Sequence, residues 1–344
     1  MKGTCSCFAM AASRDGLSDS RYINQARHPQ DDGMSSSRKP TDGFALAMMF
    51  LLCATWGTQQ VAIKLAAPHI PPLVQVALRS GLSAVLVGLL CWVRGERFSW
   101  TDGTWRPGLL AGVLFAGEFL FVAEGLRHTH ASHMAVFLYT APIFSALGLH
   151  WLVPAERLRP TQWMGIGVAF TGIMVAFGGG WFQGGLSPSV LWGDALGVLA
   201  ALAWGATIVV VRVSSLADAR PTQTLLYQLV GAFALLFPVA LFTGQVGQVT
   251  SEGVAWLNLL FQAVGVCFIS YLAWFWLLRR YVASGLSVFS FMTPLFGVTA
   301  GVLVLHERAD AFFAGGAVLV LTGIIIVSAS SLLKPSLRRE PESV

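Results

Sequence analysis

Two ionisable residues interrupt long apolar stretches of this sequence and are the first candidates for chemistry. Arg79 lies in the stretch 72–93, and Glu118 lies in the stretch 107–126. A charged side chain at membrane depth costs at least about 2–3 kcal/mol, so it is normally paired or faces a wet cavity, and it marks a functional site by default. A guanidinium and a carboxylate can bind each other, or the carboxylate and amine of a solute. A structural ion pair that only locks the two stretches together is the alternative interpretation.

Motifs for enzymatic chemistry are missing from the sequence. It contains no Gly-rich phosphate loop ending in Gly-Lys-Ser/Thr, no His-Glu-x-x-His and no Gly-x-Ser-x-Gly. We therefore expect no enzyme and no cofactor. His128, His130 and His133 gather in one connection, but no carboxylate or thiol follows in register, so polar loop residues are favoured over a metal site. The five cysteines indicate neither a metal site nor a disulfide framework.

The composition shows what kind of element positions Arg79 and Glu118. Hydrophobic residues make up 55% of the chain and charged residues 11%, with a mean hydropathy of +0.66, which is typical of a polytopic membrane protein. An apolar helix of about 20 residues crosses the bilayer, and the alternating pattern of barrel strands is absent. Ten such stretches can be drawn, at 44–66, 72–93, 107–126, 131–152, 160–178, 190–211, 222–242, 254–278, 284–305 and 311–333. We predict an all-α fold with ten transmembrane helices.

The ten stretches repeat as two sets of five, residues 44–178 and 190–333. The matching residues are Trp56-Gly57 and Lys64 with Trp204-Gly205 and Arg212, then Arg127, Ala131-Ser132 and Pro142 with Arg279, Ala283-Ser284 and Pro294, then Glu156-Arg157, Gly165 and Thr171-Gly172 with Glu307-Arg308, Gly316 and Thr322-Gly323. Small gaps in loops explain why the offset drifts between about 148 and 152 residues. Two equivalent halves that rock around a shared central site are typical of membrane transporters.

The distribution of Lys and Arg predicts the orientation. With a cytoplasmic amino terminus, fourteen Lys and Arg residues between Arg38 and Arg339 fall in inner loops and membrane-proximal tails, against Lys64, Arg127 and Arg308 outside. Such a bias puts both termini in the cytoplasm. Because each set has five spans, an odd number, the second set must then lie upside down relative to the first. We predict two inverted five-helix repeats with both termini in the cytoplasm.

Polar residues of the first set are predicted to share one depth. Counting about 1.5 Å per residue from the outer ends of the spans puts Arg79 and Glu118 about 10–12 Å below the outer surface. Further polar residues at or within one turn of that level are Gln59, Gln60, Gln75 and Tyr139. We expect these side chains to meet and to bind solute.

The second set lacks ionisable residues at the matching positions. These positions hold Thr207, Ile208, Tyr227, Ser270 and Phe291. We therefore predict a lopsided central cavity with charge on one wall and aromatic and hydroxyl groups, including Tyr227 and Ser270, on the other. Such a cavity suits a small amphipathic solute with a carboxylate or an amine.

The ends of the chain are predicted to be polar tails. Residues 1–43 have mixed charge and no continuous apolar core, so we expect a disordered cytoplasmic tail, and Met34 is a plausible start that would make 1–33 a start-site artefact. Residues 334–344 form a short cytoplasmic tail. The net charge of +5 is explained by inner loops facing an anionic leaflet, so no nucleic-acid partner is expected.

Several paired motifs resemble one transporter family. They are Trp56-Gly57 with Val61-Ala62-Ile63-Lys64, Ala141-Pro142 and Thr293-Pro294, and the Glu156-Arg157 and Glu307-Arg308 turns before Gly-rich final spans. Over residues 44–333 the chain resembles the EamA branch of the drug/metabolite transporter superfamily. The resemblance implies a ten-helix inner-membrane carrier, commonly an exporter of amino acids or other metabolites, with four helices of each repeat around the cavity and the fifth outside. It also implies that Glu156 and Glu307, at helix ends, are structural caps as much as transport residues, so we do not include them among the solute-binding residues.

The charged pair suggests a coupling mechanism. Arg79 would hold the carboxylate of the solute, and Glu118 would exchange between Arg79, the solute amine and a proton. Two other classes stay open, a passive channel and a non-transporting membrane receptor or assembly protein. A channel would show flux without saturation and without acceleration by solute on the far side.

Overall fold

The computed structural model describes residues 42–96, 102–154, 157–183, 187–281, 286, 289–290, 292–308 and 311–332. Within these ranges the chain folds into helices joined by short turns. The helices are α1 (Gly43–Ala66), α2 (Pro72–Val93), α3 (Trp105–Gly125), α4 (Ala131–Leu138), α5 (Ala141–Leu152), α6 (Pro160–Gln183), α7 (Pro188–Val213), α8 (Pro221–Phe242), α9 (Gly253–Leu260), a π-helical segment (Phe261–Ser270), α10 (Tyr271–Arg280), α11 (Met292–Leu305) and α12 (Ala311–Leu332).

Seven helical spans in the described residues are long and apolar enough to cross a membrane. They are α1, α2, α3, Ala131–Leu152, α7, α8 and Gly253–Trp274. The three other predicted stretches contain α6 and the shorter apolar helices Met292–Leu305 and Ala311–Val327. The chain is therefore a helical multi-pass membrane protein.

Local sequence signals fix where several helices begin. Helices α2, α7 and α8 each have proline in the first turn, where the missing N–H costs nothing and the fixed φ already suits a helix. Asp42 caps α1 by accepting a hydrogen bond from the Ala45 N–H at 2.8 Å.

Two predicted spans are not continuous α-helices. The stretch 131–152 breaks at Tyr139 and Thr140, just before Pro142, which has no N–H to continue the ladder of helix α4. The stretch 254–278 contains the π-helical segment Phe261–Ser270 between two α-helical parts. A π-helical turn widens a helix locally and is frequent at functional sites.

Helices of the first set pack mainly on helices of the second set. Helix α1 lies against α11, α2 against α8, and α3 against both α7 and α8. Glycine permits the close contacts. A β-carbon added at Gly57 would lie 2.6 Å from Phe296 Cβ, and one added at Gly205 would lie 2.8 Å from Phe144 Cβ. The interior polar residues therefore lie between the two sets.

The last helices of the two sets, α6 and α12, pack on each other along paired glycines. A β-carbon at Gly172 would lie 2.7 Å from Gly316 O, and one at Gly165 would lie 2.9 Å from Gly323 O. These paired glycines let the backbones of α6 and α12 approach closely. Two other Gly-rich positions behave differently, because Gly167 and Gly315 face open space.

Candidate functional site

Arg79 and Glu118 lie in the centre of the protein on neighbouring helices. Arg79 on α2 is 1% exposed and Glu118 on α3 is 4% exposed. The two groups interact electrostatically, but no nitrogen–oxygen distance between them falls within 4.0 Å. The guanidinium lies over the Phe119 ring instead, with Cζ 4.3 Å from the ring centroid. The fold thus places Arg79 and Glu118 near each other, as predicted, but they do not form a direct salt bridge.

Both charged groups keep polar atoms without a hydrogen-bond partner. Arg79 Nε, Arg79 Nη1 and Glu118 Oε2 are buried and unpaired among the described residues. A buried polar atom without a partner costs about 1–3 kcal/mol or more if charged, and such an atom needs an explanation. A polar ligand between the two side chains would satisfy all three atoms.

Aromatic rings surround the charged pair. Tyr139, at the break between α4 and α5, interacts electrostatically with Glu118, and its ring lies edge-on to Trp204 at 5.5 Å. Tyr271, which follows the π-helical segment, interacts with both Glu118 and Arg79. The sequence prediction included Tyr139 but missed Tyr271 and Trp204.

Ser270 joins the same region through Trp56. The Trp56 Nε1–H donates to Ser270 Oγ at 2.8 Å, and the Ser270 hydroxyl donates to the Val266 carbonyl. The Trp56 ring also lies 6.4 Å from the ring of Tyr271. Trp56 was quoted in a motif but not as a site residue. Its return as Trp204-Gly205 in the second set was the signal that could have identified both tryptophans.

The predicted glutamines are buried, and one of them has a structural role. Gln75 Nε2 donates to the carbonyls of Ile63 and Ile70 at 2.9 and 2.7 Å, and Gln75 Oε1 accepts from Gln262 Nε2 at 2.7 Å. Its polar atoms are therefore engaged by the protein, and it ties the α1–α2 connection to the π-helical segment. Gln59 and Gln60, 6% and 3% exposed, lie on α1, with Gln59 Nε2 3.4 Å from Gln60 Oε1.

Tyr227 is not brought to the charged pair. Its hydroxyl lies 3.1 Å from Thr104 Oγ1, and its ring packs on Gly108, ten residues or about 15 Å along α3 from Glu118. Helix α8 begins at the same end of the molecule as α3, so Tyr227 does not share the depth of Arg79, the residue that it matches. Asp102 belongs to the same cluster, and hydrogen bonds from Thr104 lower its pKa below the ordinary value. Phe291, another matching position, lies outside the described residues.

Glu307 caps a helix of the other set. Its carboxylate accepts from the N–H groups of Ala131 and Ser132, at 2.7 and 2.9 Å, at the start of α4, and lies 3.7 Å from Lys64 Nζ. Burial opposes the charge, but hydrogen bonds from His130, Ser132 and Ala131 outweigh it and lower the pKa of Glu307 to about 2. Glu156, the matching residue, lies outside the described residues.

The three histidines that the sequence analysis placed in one connection contact carboxylates, but only His128 and His130 precede α4, because His133 lies within that helix. His128 Nε2 lies 3.1 Å from Glu124 Oε1, His130 Nδ1 lies 3.8 Å from Glu307 Oε1, and His133 bonds Asp194. No group of three or more metal-ligating side chains occurs in the described part of the chain.

An open cavity of about 840 Å³ lies near this connection. It is lined by Lys64, Glu124 and Arg127 among apolar residues that include Leu73 and Leu196. Leu73 lies six residues, about 9 Å, along α2 from Arg79.

Comparison with known proteins decides the family. The model of the EamA-like transporter family matches residues 43–178 and again residues 191–329. The chain belongs to the EamA-like transporter family. The family model thus matches this EamA-like chain twice, and Arg79, Glu118 and Glu307 all lie within the matched residues.

EamA-like relatives and a solved structure resemble nearly the whole chain. An uncharacterized transporter, YoaV, of Bacillus subtilis is 25% identical over 79% of this chain and 92% of its own length. A "Probable amino-acid metabolite efflux pump" of Salmonella typhimurium is 26% identical over 84% and 95%, and one of Escherichia coli is 25% identical over 81% and 93%. A crystal structure at 20% identity superposes with a TM-score of 0.58 over 85% of this chain and 98% of the other, which shows a shared fold.

Proposed function

We propose that this chain is a secondary transporter of the inner (plasma) membrane that exports amino acids or other small metabolites by alternating access. Ten helices in two inverted five-helix repeats, 44–178 and 190–333, would surround one central site, with both termini in the cytoplasm. The double family match and the packing of helices across the two sets support this arrangement. The names of the Salmonella and Escherichia coli relatives support export of amino-acid metabolites.

The observation that carries the proposal is the separated, unpaired charge pair at the centre. Unpaired nitrogens of Arg79 suit the oxygens of a solute carboxylate, and Glu118 Oε2 suits a solute ammonium. The rings of Trp56, Tyr139 and Tyr271 would cover the apolar part of the solute. Gln59 and Gln60 complete the proposed lining, and Ser270 holds the Trp56 ring beside it. Gln75 and Tyr227 are left out, because Gln75 is engaged by the protein and Tyr227 lies away from the pair.

The same pair provides a route for proton coupling. A carboxylate whose positive neighbour turns to another anion binds a proton more readily. When a solute carboxylate engages Arg79, Glu118 is released toward the solute amine or a proton. Solute and proton would then bias the same equilibrium between inward-open and outward-open states.

A flux assay tests the proposal. Proteoliposomes that contain the purified protein are loaded with a panel of unlabelled amino acids and metabolites. Uptake of labelled solute by exchange is then measured with and without a pH gradient. We expect saturable uptake that solute on the far side accelerates, and an apparent affinity that falls at least about tenfold in Arg79→Lys because the planar, bidentate contact is lost.

Arg106→Lys is the matched control, because Arg106 is exposed at the start of α3. Flux that neither saturates nor shows exchange acceleration would instead favour a passive channel. Solute binding without any flux would favour a receptor.

A further inference from the structure

A fully buried histidine–aspartate pair lies outside the proposed solute site. His133 Nδ1 is 3.0 Å from Asp194 Oδ2 and 3.1 Å from Asp194 Oδ1, and the two residues are 2% and 0% exposed. The Thr129 hydroxyl also donates to Asp194 Oδ1. His133 belongs to α4 in the first set and Asp194 to α7 in the second, so this contact exists only while the two sets touch.

The backbone brings the two helices together at this point. A β-carbon added at Gly193, beside Asp194, would lie 2.7 Å from the Thr129 N atom. The Phe313 ring of α12 stacks on the His133 imidazole, with centroids 3.9 Å apart and planes 10° apart. Two helices of the second set therefore enclose one imidazole of the first set.

The charged side chains around the His133–Asp194 pair include one positive charge fewer than negative charges. Lys64 of α1 interacts electrostatically with both Glu307 and Asp194, so one ammonium is shared by two buried carboxylates. On the more exposed side, Arg127 and His128 contact Glu124, while His130 faces both Glu307 and the His133 ring.

These contacts join two permanently positive side chains and three permanently negative ones, so the group carries a net charge of −1. The positive side chains are Lys64 and Arg127, and the negative ones are Glu124, Asp194 and Glu307. Arg308 is exposed and makes no ion pair with this group in the described part of the chain. A proton on an imidazole would neutralise the group.

Water has a short path to the pair. Lys64 lines the 840 Å³ cavity, its Nζ donates to the Thr129 carbonyl, and the Thr129 hydroxyl contacts Asp194. Leu196, two residues after Asp194, lines the same cavity. A chain of contacts through Lys64 and Thr129 thus connects the cavity to the pair.

We propose that His133 and Asp194 form a proton-binding site that fastens α4 to α7 and closes this end of the protein when it is protonated. Neutral His133 donates its Nδ1–H to the Asp194 carboxylate, so the incoming proton binds Nε2 and converts the hydrogen bond into an imidazolium–carboxylate ion pair. The stacked Phe313 face stabilises the added positive charge. Loss of the proton leaves Asp194 with the hydrogen bonds from neutral His133 and Thr129 and with the ammonium that it shares with Glu307, and the two sets separate more readily. The site is independent of the solute and of Arg79 and Glu118.

Nitrogen NMR of histidine-labelled full-length protein tests whether the site binds a proton. We expect the ring nitrogen signals of His133, assigned with His133→Gln, to show that the imidazole gains a proton when the sample is acidified from about pH 8 to about pH 5, and Asp194→Asn to weaken that response. A ring that stays neutral over this range, or a titration that Asp194→Asn leaves unchanged, would overturn the proposal. Neither result depends on transport, so the proposed function stands or fails separately.

Distance measurement tests the closing action. Nitroxide labels replace the exposed Leu65 at the end of α1 and the exposed Trp192 in α7, in a background without the native cysteines. We expect the population with the shorter distance to rise several-fold between about pH 8 and 5.5. This response should disappear in His133→Gln and in Asp194→Asn, and should persist in the matched control His128→Gln, which removes a more exposed histidine–carboxylate contact. A response that survives in His133→Gln contradicts the proposal.

Discussion

The third apolar stretch of each set has a different polar residue and a different helix geometry at the matching position. Glu118 in the first set and Ser270 in the second are related by the 152-residue offset. Helix α3 is an ordinary α-helix around Glu118, whose Oε2 has no partner among the described residues. The second stretch is π-helical up to Ser270, whose hydroxyl is hydrogen-bonded on both sides.

This difference separates packing from chemistry. The duplicated Gly57 and Gly205 still make the close helix contacts in both sets. Among the described residues, the buried charged groups Arg79 and Glu118 belong to the first set, whereas the second set contributes the Ser270 hydroxyl and the rings of Tyr271 and Trp204. The two sets therefore share close helix packing at matching glycines and differ in the polar residue at the position of Glu118 and Ser270.

Removing the charge at the first of these positions is expected to have the largest effect. Glu118→Leu leaves the Arg79 guanidinium buried without its counter-charge, and we expect the free energy of unfolding to fall by about 3–5 kcal/mol. Thermal unfolding in detergent and membrane abundance measure this change. The double variant Arg79→Met, Glu118→Leu should recover part of the loss. Equal stability of Glu118→Leu and the wild type would contradict the interaction between the two charges.

Acid is expected to weaken the contact that Glu307 makes between the sets. Its pKa is about 2 in the folded protein against an ordinary value of 4.5, so its contribution is fully present above about pH 4.5 and is lost as the pH falls through about 2. The shift corresponds to about 3 kcal/mol. Unfolding measured from pH 6 to pH 3 should show a decline that Glu307→Gln flattens. A decline of the same slope in Glu307→Gln would contradict this role.

Because both sets pack closely at the duplicated glycines, substitutions there are expected to lower stability by similar amounts. Gly57→Val and Gly205→Val both place atoms against a neighbouring helix, and each should lower the free energy of unfolding by about 1–3 kcal/mol. Gly88→Val is the matched control, because a β-carbon there meets nothing within 4 Å. Thermal unfolding of the three variants checks the ranking. A strong effect at only one of the duplicated glycines would show that helix packing also differs between the two sets.

The smallest effect is expected at Ser270. Ser270→Ala removes the acceptor for the Trp56 Nε1–H and should cost about 1 kcal/mol of stability. Fluorescence of the tryptophans and thermal unfolding report the loss. A loss as large as that of Glu118→Leu would mean that the two positions are energetically equivalent after all.

Much of the fold could be predicted from the sequence because long apolar helices have a strong signal. The ends of α2 and α8 differ from the predicted ends by one residue or less, since prolines mark their starts. The break at Tyr139 was not predicted, although Pro142 was its signal. The π-helical segment gave no signal, because nothing in the composition of Phe261–Ser270 distinguishes it from an α-helix.

The sequence identified the site residues that are charged, because charged residues are rare in apolar stretches. Arg79 and Glu118 stand out because ionisable groups are costly in lipid. Tyr271 and Trp204 did not, because an aromatic residue in an apolar stretch is equally compatible with lipid contact. Asp194 was missed as a partner of His133, since the two residues are distant in sequence and meet only across the interface between the sets.

The most direct test of the account is proton-coupled transport by Glu118→Gln in proteoliposomes, with Glu252→Gln, an exposed carboxylate, as the matched control. Glutamine keeps the shape of the side chain but neither ionises nor exchanges a proton. We predict that Glu118→Gln retains exchange of solute across the membrane and loses net transport driven by a pH gradient, whereas Glu252→Gln keeps both. Full pH-driven transport by Glu118→Gln at normal abundance would contradict the central role assigned to Glu118.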